Sequence, residues 1–265
     1  MNADLTRAVQ WYPGHMVRAM RALGRSIRLT DLVIEAIDAR APSSGANPAL
    51  DDLARSRDRI TVLTRDDLAD PRATRAWLDA LGSSGREVLA IDARSHAGIA
   101  RLRASLARRS RTHDGILRVM VVGIPNSGKS TLVNALLGRA AARTENRAGV
   151  TRAPQWFRLS SGVELLDTPG ILVPKIAGAR AQWILAAIGA VPAERYDAEE
   201  IVARLVAWGR TRGADVPTLE EFARERGFVR RGGELDAHNA ARAYLAAFAR
   251  GTFGRYTLEE PSDAS

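Results

Sequence analysis

Six short apolar runs of β character punctuate the first two thirds of the chain: Asp31 to Ile37, Arg59 to Leu63, Val88 to Ile91, Leu117 to Val122, Gln155 to Leu159 and Val163 to Leu166. Helix-compatible stretches separate several of them, at Pro48 to Arg57, Pro71 to Leu81, Ile99 to Arg109 and Ser130 to Gly138. Strands alternating with helices predict a mainly parallel sheet covered on both faces. After Pro174 the pattern changes. The sequence becomes Ala-rich, with apolar residues at helical spacing, as in Ile201, Leu205 and Trp208, then Tyr244, Leu245 and Phe248, which predicts an all-helical second unit. The expected division is 1–175 for an α/β domain with a basic N-terminal arm and 176–265 for a helical domain, with a frayed end from Ser262.

Composition narrows the class. With 265 residues, 46% hydrophobic and 26% charged, the chain has the length and balance of a globular protein with a packed core. The longest nearly apolar run, Trp183 to Ala193, is broken by Gly189 and Pro192 and is shorter than the ~20 residues that cross a bilayer, so no membrane association is expected. The absence of cysteine excludes disulfides, thiolate metal sites and a cysteine nucleophile, and suits a reducing compartment. The net charge of +9 favours a polyanionic partner. It is unevenly placed: residues 176–265 carry 12 Arg against 13 acids, whereas the first 175 residues carry 27 bases against 17 acids. Only Lys129 and Lys175 are lysine among 39 basic residues. Codon bias is the plain reading of that skew; the other is that lysine is retained where a compact ammonium serves better than a planar fork.

Lys129 lies in Gly123-Ile124-Pro125-Asn126-Ser127-Gly128-Lys129-Ser130, which fits G-x-x-x-x-G-K-[ST] and falls between a predicted strand and a predicted helix. In such a loop the glycines let backbone N–H groups turn inward around phosphate at a helix N-terminus. Lys129 neutralises the β and γ phosphates and Ser130 offers a hydroxyl to Mg²⁺. Downstream, Asp167-Thr168-Pro169-Gly170 ends a strand; there Asp167 can hold the Mg²⁺ shell and the Gly170 N–H can sense the γ-phosphate. Thr151, between the two motifs, is spaced like a switch threonine that contacts Mg²⁺. By itself D-T-P-G is also a plain turn.

Thr64-Arg65-Asp66-Asp67 follows the second strand and is similar to an N/T-K-x-D motif, in which Asp67 would accept two hydrogen bonds from guanine N1 and N2 while the stem of Arg65 lies along the ring. The competing reading of Asp66-Asp67 is a helix N-cap pair. Asp92-Ala93, ending the third strand, occupies the place of a short loop that reads guanine O6 through a backbone N–H. These motifs precede the phosphate loop, whereas ordinary GTPases carry them after it. The expected fold is therefore a P-loop NTPase with a doubly wound, mainly parallel sheet, circularly permuted, followed by a C-terminal all-helical domain. Permutation brings both flanks of the domain near the second switch.

These residues resemble the ribosome biogenesis GTPase A family of circularly permuted GTPases. Trp11 to Met16 is similar to its W-x-P-G-H-M start, Asp38-Ala39-Arg40 with Pro42, Asn47 and Pro48 to its D-A-R-x-P-x-S-x-x-N-P segment, Gly123 to Thr131 to G-I-P-N-x-G-K-S-T, and Asp167 to Lys175 to D-T-P-G-I-L-x-P-K. The resemblance runs from about residue 11 to 258 and takes in Phe253-Gly254-Arg255. It implies GTP hydrolysis to GDP coupled to late maturation of the large ribosomal subunit, with ribosomal RNA and protein as partners, in the cytoplasm, by a chain that is a monomer off the ribosome. It also implies a hydrophobic residue, Ile171, where small GTPases carry a water-orienting glutamine, which makes His15 the catalytic candidate beside Thr151; the other reading of His15 is a packing histidine. Asn126 resembles the asparagine of potassium-activated GTPases and would ligate K⁺. Thr64-Arg65 in place of Asn-Lys, Asp92 in place of a small polar residue, and Ala148 in place of proline depart from the family and imply a weaker hold on guanine. The basic stretches 1–30, 101–118 and 139–158 are the candidate RNA contacts. Two rival functions remain, a P-loop ATPase or kinase and a nucleotide-poised binding module with negligible turnover.

Overall fold

Residues 13–138, 155–160, 162–167, 178–230 and 232–264 are described by the structure, a computed structural model. The chain enters through α1 (Pro13–Arg28), with proline in its first turn, where the missing N–H costs no bond, and Arg25 and Arg28 in its last turn, where cations suit the helix dipole. The strands β1 (Leu32–Asp38), β2 (Asp58–Thr64), β3 (Glu87–Ile91), β4 (Leu117–Val122), β5 (Gln155–Ser160) and β6 (Val163–Asp167) follow. They form one six-stranded sheet in the order β3-β2-β1-β4-β6-β5. All neighbouring pairs are parallel except β5 with β6. The helices α2 (Ala49–Leu53), α3 (Pro71–Gly82), α4 (His96–Thr112) and α5 (Lys129–Leu137) connect them. Every strand expected from the sequence is present, within a residue or two of its expected ends.

β1 is buried along its whole length, as a central parallel strand must be when helices cover both faces. Its alternate residues Leu32, Ile34 and Ala36 pack with Ile99 and Leu102 of α4 and Leu132 and Leu136 of α5. Val33 faces the other way, with Leu23 and Ile27 of α1, Leu50 of α2 and Leu166 of β6. Of the basic arm, residues 13–28 form this helix, with Leu23 and Ile27 buried. Pro48 to Arg57 yields a helix of five residues, α2, because the chain must turn through Arg57, whose N–H bonds the Ala54 carbonyl, to start β2 at Asp58.

The remaining helices, α6 (Gly178–Ala187), α7 (Ala198–Arg212), α8 (Leu219–Glu225) and α9 (Ala237–Ala249), share a separate core. That core also takes in Ala41 and Ile124 from the α/β part. The last residues turn back onto that part. The Tyr256 N–H donates to the Leu68 carbonyl and the Leu258 N–H to the Arg40 carbonyl. Glu259, nearly buried, accepts from the Ser43 and Ser44 N–H groups. Among the described residues no helix is long and apolar enough to cross a membrane.

Candidate functional site

The strand order reverses between β4 and β1, and the loops at the C-terminal ends of these strands form the crevice where doubly wound sheets bind ligands. The β4 to α5 loop is made for close approach. A methyl group on Gly123 would lie 2.4 Å from the Ala36 carbonyl oxygen and 2.6 Å from Ser127 Oγ. Gly128, at φ +82°, takes the left-handed backbone that glycine adopts without strain, and α5 starts from it at Lys129. Ser127 Oγ is buried with no hydrogen-bond partner among the described residues. Burial also pulls the Lys129 ammonium below its ordinary pKa. A helix N-terminus, a loop closed to any side chain, an orphaned hydroxyl and a desolvated cation together make a seat for phosphate.

Thr64 ties that loop to the second strand. Its Oγ1 donates to the Ser127 carbonyl at 2.6 Å and lies 3.1 Å from the Ile37 carbonyl. A cavity of about 410 Å³ opens beside it, lined by Thr64, Arg65, Asp67, Asp92, Ala93, Gly128 and Thr131. Guanine-type and phosphate-loop residues separated by some sixty positions in sequence therefore share one wall. Asp66 and Asp67 are not the cap of α3. Asp70 is, accepting from the Arg72 and Ala73 N–H groups at 2.9 and 2.8 Å. Asp66 is absent from the cavity wall; burial, then the charges of Asp67 and Asp92, raise its carboxyl pKa against the opposing Arg101 and Arg255.

Arg94 bridges the two remaining carboxylates, its Nη2 donating to Asp67 Oδ2 and its Nε to Asp92 Oδ1 at 3.3 Å. Arg65, at φ 55°, sends Nη1 to Asp38 Oδ2 at 3.1 Å. Asp38 is in turn held by Arg40 through Nε at 2.9 Å and Nη2 at 2.8 Å, a bidentate pair with both side chains almost wholly buried. Arg40 Nη1 continues to the Ala249 carbonyl at the end of α9, 2.9 Å away. Asn126 makes a parallel link, donating from Nδ2 to the Gly189 carbonyl at 2.8 Å. Ala249 and Arg250 themselves line the cavity, so the helical part is a wall of the site.

His15 lies in the first turn of α1, and its side chain is outside the described part, as is that of Asp167, the last residue of β6. Thr151 and Gly170 lie outside the described residues. Ser130 is exposed at the start of α5. No cluster of three His, Cys, Asp or Glu able to hold a metal occurs among the described residues.

The family described as 50S ribosome-binding GTPase matches residues 118–212. Ribosome biogenesis GTPase A of Priestia megaterium is 33% identical to this chain, covering 97% of it and 98% of the relative. The chain belongs to the ribosome biogenesis GTPase A family. The corresponding protein of Thermotoga maritima is also 33% identical, over 96% of this chain and 95% of its own. A crystal structure of GNP-bound YlqF from T. maritima superposes with a TM-score of 0.75 at 31% identity, covering 93% of this chain and 99% of that one. The ribosome biogenesis GTPase A assignment makes this chain a GTP hydrolase that binds GTP and GDP on a circularly permuted fold.

Sequence reasoning missed four contributors to the site: Arg94, Arg40 in its bridging role, and Ala249 and Arg250. The signal for Arg40 was present, since an acid and an arginine two residues apart at the end of an all-buried strand have to satisfy each other. Nothing local marks Arg250, because its relation to the cavity depends on how the helical part is seated.

Proposed function

We propose that this chain couples GTP hydrolysis to late maturation of the large ribosomal subunit, acting in the cytoplasm and as a monomer off the ribosome. The observation that supports the guanine reading best is the single cavity shared by Asp67, Thr64 and the phosphate loop. Asp67 selects guanine by accepting from N1 and N2, Ala93 presents its N–H to O6, and Asn126 to Thr131 cradle the phosphates. Ser127 Oγ, buried and unpaired among the described residues, finds its acceptor in a phosphate oxygen. Mg²⁺ would be held by Ser130, Asp167 and Thr151 and would neutralise phosphate charge, and K⁺ at Asn126 would add a further positive charge.

His15 orients the attacking water. Its support is positional: Leu23 and Ile27 of α1 share a cluster with Leu166 of β6, the residue before Asp167, and His15 stands two turns from Leu23 on the same helix, about 12 Å along the axis. Ribosomal contact falls to the basic first 175 residues. Turnover of GTP and ATP by the purified protein, with and without large subunits, tests the proposal. Subunit-stimulated GTP hydrolysis that falls roughly 10²-fold in His15→Ala, with nucleotide and subunit binding retained, is the expected result. Equal use of ATP overturns the guanine reading. Subunit association with no turnover leaves a nucleotide-poised binding module instead. Association should also weaken steeply with salt, as counterion release requires.

A further inference from the structure

The loop that carries Asp67 has little support of its own. Its internal bonds are turn contacts, the Leu68 N–H to the Arg65 carbonyl at 2.9 Å and the Ala69 N–H to the Asp66 carbonyl at 3.4 Å. Arg94 holds the Asp67 carboxylate itself, and the further bonds to the loop backbone come from the segment following α9. Arg255 Nη2 donates to the Asp66 carbonyl at 2.6 Å and Nε to the Ala69 carbonyl at 2.8 Å. The Tyr256 N–H donates to the Leu68 carbonyl at 3.1 Å, and the Asp70 N–H donates to Thr257 Oγ1 at 3.1 Å. Gly251 is packed so tightly on the same loop that a methyl group there would lie 2.6 Å from Leu68 Cδ2. Three consecutive residues of one segment thus grip the backbone on both sides of Asp67.

We propose that the Arg255 to Thr257 strap positions Asp67 for guanine, and that Arg255 is a specificity-determining positioning residue. The proposal rests on the reading of Asp67 as the base-selecting carboxylate. Two hydrogen bonds to one planar base edge require the carboxylate to be fixed in place and orientation, and a turn held by weak internal contacts does not supply that. The planar guanidinium does, because its Nε and Nη2 reach two carbonyls at a fixed separation, which the single nitrogen of a lysine does not offer. Among the described residues the hydrogen bonds of Arg255 go to the Asp66 and Ala69 carbonyls and not to the phosphate loop, so the effect falls on base choice and not on phosphate binding.

Arg255 is exposed, so Arg255→Ala should fold, and its thermal midpoint verifies that it does. The test measures GDP and ADP dissociation constants for the unmodified chain, Arg255→Ala, Arg255→Lys, Asp67→Asn and the Asp67→Asn/Arg255→Ala pair. The expected result is a roughly tenfold loss of GDP affinity in Arg255→Ala with ADP affinity unchanged, a smaller loss in Arg255→Lys, and no further loss when Arg255→Ala is added to Asp67→Asn. A GDP to ADP ratio in Arg255→Ala equal to that of the unmodified chain overturns the positioning role, as does an equal loss for both nucleotides. An unmodified chain with no preference for GDP over ADP overturns instead the assignment of Asp67 itself.

Discussion

Replacing Arg40 by methionine tests whether the joint between the two parts of the molecule is electrostatic. The Asp38 and Arg40 side chains are 1% and 2% exposed, so the guanidinium can be removed but water cannot take its place. Arg40→Met deletes the two donors at 2.9 and 2.8 Å and the bond to Ala249. It leaves Asp38 with the Arg40 backbone N–H at 3.0 Å and Arg65 Nη1 at 3.1 Å. Breaking a buried pair from one side costs about 3–5 kcal/mol, and the two surviving donors place this case near the lower end, at about 3 kcal/mol. For a chain of this size that corresponds to a melting midpoint lower by roughly 6–12 °C. Urea unfolding followed by far-ultraviolet circular dichroism measures it. The companion Asp38→Asn/Arg40→Met removes both charges and should lose less than the sum of the single changes, by about 1–3 kcal/mol of coupling. A single variant costing under about 1 kcal/mol, or strict additivity in the double, would refute the reasoning.

Gly128→Ala forces a side chain to φ +82° and to 3.0 Å from Thr64 Oγ1; it should cost about 1–2 kcal/mol in stability and weaken GDP binding at least tenfold, read by calorimetry. Lys129→Arg should abolish GTP binding although arginine serves nearly everywhere else in the chain, because the wider head does not fit under the loop where a point charge does. Arg94→Ala should raise GDP affinity a few-fold, since Arg94 donates to the same Asp67 carboxylate that the base edge needs; weaker binding would show that Arg94 orients Asp67 instead. Burial alone would raise the Glu87 pKa, but hydrogen bonds from Ser105 and Arg109 and the charges of Arg109 and Arg108 lower it. A depressed folded pKa gives stability that is complete above the unfolded value of about 4.3 and disappears as pH falls through the folded value. Glu87→Gln should therefore destabilise the protein at pH 7 and make progressively less difference in acid, as thermal melts across that range would report.

The sheet was legible because buried parallel strands are written as nearly continuous apolar runs, and β1 through β4 and β6 each had one. The phosphate loop was legible because its backbone geometry restricts residue type, with Gly123, Gly128 and Lys129 each irreplaceable for a physical reason. α1 was legible in principle from Met16, Met20, Leu23 and Ile27 at helical spacing, but its arginines drew the reading toward a charged arm. The role of Thr64 was hidden for a different reason: a threonine hydroxyl can bond almost anything, and only the fold reveals that Ser127 is within 2.6 Å. The sequence did not mark a partner for the head of Arg65; the fold supplies Asp38, buried and already bound to Arg40, which offers a guanidinium a better partner than open solvent does.

The bond from Arg40 to Ala249 spans 209 positions in the sequence, and this sets a clock on the newborn protein. At ~5–20 residues per second, translation needs roughly 10–40 s after Arg40 has been made before its acceptor exists, and longer before Leu258 can donate to the Arg40 carbonyl. For the later part of that interval, once Ser130 has been made, the nascent chain has its central strands and its phosphate loop but lacks the partners that finish the Asp38 and Arg40 cluster. A chain whose synthesis stalls before α9 is complete therefore emerges with a recognisable G domain and an unfinished joint, and it is this joint that quality control would find open.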